Sequence, residues 1–214
     1  MPNNNLKLIF PTPLWECQID NAELNDSLKK AIYDVEKSDT KFDTSQYPFG
    51  YTSYISKFPL QEDVRFKEIT QHVLQEARKF LAAMQIKALD GSILNLRVYD
   101  LFCNINRKYS LHVSHRHECS DLSAVYYVVA GKGAANLIAH SPIEPLLMHT
   151  RSHFFPNNSP MAQEIQSFTP ETGKLLIFPS WMMHEVTQQK TDSERLSLSF
   201  NLGIVARPRL AKRK

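Results

Sequence analysis

At 214 residues, with 43% apolar and 22% charged side chains, the chain has the make-up of one soluble globular domain, not of a fibre or a disordered tail. Its net charge of +3 is unevenly spread: residues 207–214 carry five positive charges and the rest sums to −2, so the basic excess describes a solvated tail and nucleic-acid binding is not expected. No run approaches the ~18 uninterrupted apolar residues of a membrane-spanning helix, and Cys17, Cys103 and Cys119 are odd in number, widely spaced and without a CxxC pair. Together with the polar opening Met1-Pro2-Asn3-Asn4-Asn5, this reads as a reducing, cytoplasmic setting.

In chain order, Leu6 to Phe10 alternates and stops at Pro11 and Pro13, as a short edge strand does. Asn21 is an N-cap for a helix whose apolar stripe is Leu24, Leu28, Ala31 and Val35. Residues 38–60 lack periodicity and read as a loop or short-strand region, and a longer helix is expected from Gln61 to Met84, closed by the turn Asp90-Gly91. From Ser92 onward the texture changes to short β-branched and aromatic runs: 93–106, 122–129, 134–139, 174–178 and 196–205. They are separated by Gly, Pro, Asn and Ser without intervening helices, which argues for an antiparallel sandwich or barrel. The Pro-rich stretch 141–160, holding His149 and His153, reads with His140 as an insertion between strands. Gly131-Lys132-Gly133 reads as a hairpin turn, Cys119 as a buried passive thiol, and Phe178 and Trp181 as core.

Seven of the eight histidines lie between His112 and His184. In His115-Arg116-His117 an extended backbone would put both imidazoles on one face, able to reach one metal ion, with His184 as the third ligand from the end of the apolar run 174–178. Eleven residues after His184, Arg195, Ser197 and Ser199 alternate with Leu196, Leu198 and Phe200. An arginine turned into a barrel interior is costly unless it meets an anion, and its planar fork suits a carboxylate with Ser197 adding a hydroxyl.

These features in this order, with Phe10-Pro11-Thr12-Pro13, the run Ser123-Ala-Val-Tyr126-Tyr127-Val128, the segment 173–186 and the ending Arg195 to Asn201, resemble the iron(II)- and 2-oxoglutarate-dependent dioxygenases. Within them the chain is similar to the small group of putative 2OG-Fe(II) oxygenases, which are prolyl-hydroxylase-like. The resemblance implies Fe(II), 2-oxoglutarate and O2 as cofactor and cosubstrates, with His115 and His184 as iron ligands. It also implies Arg195 and Ser197 at the far carboxylate of 2-oxoglutarate, Tyr127 at the same carboxylate, and Asn104 at the keto-acid end. It places His117 where the usual triad has a carboxylate. Glu118 should point away from a regular strand, and Asp121 would need a loop folded back.

The expected architecture is mainly β, a double-stranded β-helix (jelly-roll, cupin-like) barrel over residues 93–206. Residues 1–92 would supply supporting helices, and a basic tail would follow at 207–214, in one structural domain. The expected activity is oxidative decarboxylation of 2-oxoglutarate coupled to hydroxylation of an unidentified small-molecule or peptide substrate. Two alternatives stand beside it: a cupin-like three-histidine metal enzyme without 2-oxoglutarate, which would not need Arg195, and a non-catalytic jelly-roll binding module, which would not need the histidines to converge. Oligomeric state is open.

Overall fold

The structure, a computed structural model, describes residues 11–42, 47–88, 93–143 and 163–207. The expected strand at Leu6 to Phe10, nearly all of the Pro-rich stretch with His149 and His153, and the tail beyond Arg207 lie outside the described residues. The ten strands are β1 (Trp15–Gln18), β2 (Gly50–Thr52), β3 (Ile93–Asn106), β4 (His112–His115), β5 (Leu122–Ala130), β6 (Leu137–His140), β7 (Ile165–Phe168), β8 (Lys174–Pro179), β9 (His184–Val186) and β10 (Arg195–Arg207). They form two antiparallel sheets, a six-stranded one in the order β1-β8-β5-β10-β3-β2 and a four-stranded one in the order β4-β9-β6-β7. This is a double-stranded β-helix. Gly131 to Gly133 carries the chain from β5 in the larger sheet to β6 in the smaller, so it is a crossover turn and not the expected hairpin.

Helix α1 (Ala22–Ser38) starts where the Asn21 side chain accepts the Leu24 N–H at 2.9 Å, and its stripe Leu24, Leu28, Ala31, Ile32 and Val35 is buried. Residues 53–56 form a single short turn, α2 (Ser53–Ser56). The second long helix, α3 (Lys67–Ala83), begins later than the periodicity suggested. Leu60–Glu62 and Val64–Phe66 are separate 3-10 turns, because Asp63 turns the chain by accepting the Arg65 N–H at 2.9 Å.

Both long helices pack on the outer face of the six-stranded sheet, sharing a core with Cys103, Ile105, Tyr126, Val128, Leu196, Leu198 and Phe200. Alternation then fixes what faces inward. Leu196, Leu198 and Phe200 are at most 1% exposed, and burying each contributes about 1.5–3 kcal/mol. A one-residue slip would throw that row into the cavity, so Arg195, Ser197, Ser199 and Asn201 are held on the inner face. The neighbours are set by register: on β3, Asn106, Asn104, Phe102 and Asp100 stand opposite these four, and on β5, Tyr127, Val125 and Ser123 stand opposite the last three. Between the sheets, Val125, Tyr127, Leu137, Leu176, Phe178 and Met182 form a second core at the closed side of the cavity.

Candidate metal centre and anion pocket

The strands β4 and β9 pair His115 with His184 and His112 with Val186, three residues against two, so β4 carries a bulge. That extra residue turns His112 and His115 toward the same cavity despite their odd spacing. His117 is reached differently from the regular strand expected: β4 ends at His115, and the His117 N–H instead donates to the Ser180 carbonyl at 3.0 Å, fastening it to the turn before β9.

The three imidazoles still converge. His115 and His184 ring centroids are 4.4 Å apart, His115 and His117 5.2 Å, and His117 and His184 5.3 Å. Their candidate ligand nitrogens lie within 4.8 Å of one another. His115 Nδ1 sits 2.8 Å from the Val113 carbonyl and His184 Nδ1 2.8 Å from the Met182 carbonyl, which places the proton on Nδ1 and leaves each Nε2 lone pair free for a cation. Burial, reinforced by His115 nearby, pushes the His184 imidazole down to about 3 and His117 down to about 4, so both are neutral, the form a metal binds. Neither nearby carboxylate joins them: Glu118 is exposed and pairs with Arg116 at 3.3 Å, and Asp121 Oδ2 accepts the Ile204 N–H at 2.6 Å.

Arg195 is 2% exposed and meets only neutral groups. Its Nε donates to the Ala135 carbonyl at 3.0 Å, its Nη1 to Asn106 Oδ1 at 2.7 Å and to Ser197 Oγ at 3.3 Å, and its guanidinium carbon lies 5.1 Å over the Tyr127 ring. A buried cation satisfied by dipoles alone holds a full positive charge toward the cavity. The Tyr127 hydroxyl is buried beside it, with Arg195 as its polar neighbour, and Asn104 donates from Nδ2 to Ser199 Oγ at 3.0 Å while its Oδ1 has no partner among the described residues. A cavity of about 290 Å³ joins the histidines to Arg195, Ser197 and Asn104. The structure thus brings His115, His117, His184, Arg195, Ser197 and Asn104 to one cavity, whereas Tyr127, expected there, is fully buried behind Arg195 and does not line it.

Other residues were not foreseen. Asn106 links Arg195 to the loop before β2, since its Nδ2 donates to the Tyr47 hydroxyl at 2.7 Å; alternation with Asn104 could have found it. Tyr47 stacks on His112 at 4.4 Å and 20°, a pair that neither the aperiodic 38–60 region nor a bulged strand announces. Two expectations are corrected. Trp181 is 51% exposed, in the turn before β9 and outside the core, and Cys119 is exposed in the turn after His117.

The sequence model of the family described as "Putative 2OG-Fe(II) oxygenase" matches residues 100–201. No curated protein matches. Among solved structures, the chain is similar to the non-heme α-ketoglutarate-dependent epimerase SnoN from nogalamycin biosynthesis (12% identity, 94% of this chain and 81% of that chain, TM-score 0.61). It is also similar to HygX from Streptomyces hygroscopicus, solved with nickel and 2-oxoglutarate bound (11%, 90% and 83%, 0.55), and to a Pseudomonas putida prolyl-4-hydroxylase (13%, 92% and 94%, 0.55). At these identities the likeness is one of fold, the double-stranded β-helix. The matched residues 100–201, a little under half of the chain, include the three histidines and Arg195.

Proposed function

We propose that the protein is an Fe(II)- and 2-oxoglutarate-dependent oxygenase that hydroxylates a second substrate. The observation that carries this reading is the buried Arg195, held among the described residues by neutral partners, in the same cavity as three converging imidazoles. One end of that cavity suits a cation and the other a carboxylate. The donor set fits iron: His115, His117 and His184 would hold it through Nε2, and Arg195 with Ser197 would bind the far carboxylate of 2-oxoglutarate, the buried Tyr127 ring backing the guanidinium.

Bound iron supplies the site at which the 2-oxo acid and oxygen meet, and the net reaction converts 2-oxoglutarate, O2 and R–H into succinate, CO2 and R–OH. The protein's own part is positioning. Asn106 and the Ala135 carbonyl fix the guanidinium plane, and Asn104, which lines the same cavity, would meet the keto-acid end. With His117 in place of a carboxylate, three neutral ligands leave the metal's charge uncompensated, which strengthens its hold on an anionic cosubstrate. The cupin-like alternative without 2-oxoglutarate gives Arg195 nothing to do.

The test is release of labelled CO2 from carboxyl-labelled 2-oxoglutarate by the purified protein. Release that requires Fe(II) and O2 and is lost in Arg195→Leu supports the reading. No release above the metal-free control, or undiminished release by that variant, overturns it.

A further inference from the structure

The row of inward side chains on β10 is longer than the cosubstrate needs. Asn201 stands six residues beyond Arg195, a rise of roughly 20 Å along an extended strand, and a five-carbon diacid bound to Arg195 does not span it. Asn201 nonetheless lines the cavity and is 4% exposed. Its Nδ2 donates to Asp100 Oδ2 at 3.1 Å, and its Oδ1 is buried without a partner among the described residues. Because a carboxylate only accepts, Asp100 fixes the amide orientation, and the free atom is the acceptor Oδ1.

An unmet buried acceptor asks for a donor. Neither dianionic 2-oxoglutarate nor O2 has an N–H or O–H to give. One rung inward, opposite Ser199, Phe102 lines the cavity and packs against Tyr54 with ring centroids 4.9 Å apart at 52°. Tyr54, on α2, is 55% exposed, so an aromatic wall runs from beside Asn201 to the surface. The Asp100 carboxylate behind the amide makes this end hostile to anions.

Resting on the oxygenase reading for the identity of the site, we propose that the hydroxylated substrate is a neutral hydrogen-bond donor, an alcohol or amide carrying an aromatic or apolar group. Its O–H or N–H is accepted by Asn201 Oδ1, and its apolar part lies on Phe102 and Tyr54. Asn201 is then the residue that selects substrate.

Matched probes test this on protein loaded anaerobically with Fe(II) and 2-oxoglutarate: benzyl alcohol and N-benzylacetamide against their methyl-capped partners, benzyl methyl ether and N-benzyl-N-methylacetamide. Binding is read by saturation-transfer NMR. The donors should bind at least about tenfold tighter than the capped forms, and Asn201→Leu, or Asn201→Ala should leucine not fold, should bring the pairs within about twofold. Four probes binding alike, none binding, or discrimination surviving in the variant overturns the proposal; a water held at Oδ1 in place of substrate gives the first of these. The chelation band of 2-oxoglutarate recorded in the same samples separates the failures. Without the band the oxygenase reading fails, whereas a band without discrimination sinks the substrate assignment alone.

Discussion

The two sheets that enclose the cavity are built to different standards. The six-stranded sheet has strands of up to 14 residues, its outer face is covered by α1 and α3, and it holds Arg195 by bonds to β3 and to the segment before β6. In the four-stranded sheet every strand has three or four residues, and Val113 and Ile165 stand 72% and 50% exposed. Arg195, the proposed anion receptor, therefore belongs to a frame whose strands and hydrogen bonds are complete without ligand. The histidines sit on and beside the thinner sheet, whose geometry a bound cation would complete, as metal binding and local folding share one free energy.

The contrast can be broken most forcefully at the thin sheet. His184→Ala removes one of three donors and should lower affinity for Fe(II) or Ni(II) by at least about 100-fold, measured by calorimetric titration, with far-UV circular dichroism unchanged. On the rigid sheet, Arg195→Leu should weaken 2-oxoglutarate binding by about 100-fold while metal affinity holds. It should also destabilise the fold by about 1–3 kcal/mol for each acceptor it orphans, Asn106 Oδ1 and the Ala135 carbonyl. Arg195→Lys keeps the charge but not the fork and should fall between.

Saturating Ni(II) at about 100 times its Kd should stabilise the protein by about 2.7 kcal/mol in thermal unfolding, and the same concentration should stabilise His184→Ala by at most about 0.4 kcal/mol. Acid should act on the same sheet in the metal-free protein. Burial holds His112 and His184 down at about 3 and His117 at about 4, below the 6.5 of an unfolded histidine. Between those values the unfolded chain binds more protons, so stability is full above about pH 6.5 and falls as pH drops toward 4, by roughly 1.4 kcal/mol per pH unit for each fully buried histidine. Denaturant unfolding at stepped pH measures it; a flat profile would show that these imidazoles are not desolvated. The smallest effect belongs to Glu118→Gln, which breaks only an exposed pair with Arg116 and should leave metal affinity within about twofold and stability within about 0.5 kcal/mol. A larger loss of metal would mean that a carboxylate completes the ligand set.

The same division governs what could be read in the sequence. The long strands β3, β5, β8 and β10 carry enough β-branched and aromatic residues to be seen as runs, and the alternation from Arg195 to Asn201 announced its inward face. The strands β4, β7 and β9 are too short for a periodicity of two to show, and the bulge in β4 hides His112 altogether. His115 and His117 were paired through a regular strand, and the structure pairs them through a backbone bond to Ser180 instead. Asn106 shares its face with Asn104 and was within reach of alternation, but Tyr47 joins the site only through its bond to Asn106, a contact distant in sequence that local pattern cannot supply.

On the proposed function, one cavity would hold a metal at its thin wall and a 2-oxo diacid against its thick one. Anaerobic addition of Fe(II) and then 2-oxoglutarate to the purified protein, followed by visible absorption, tests it most directly. A weak charge-transfer band is expected that needs both additions, vanishes in His184→Ala and requires far more 2-oxoglutarate in Arg195→Leu. No band in the native protein, or an undiminished band in both variants, would contradict it.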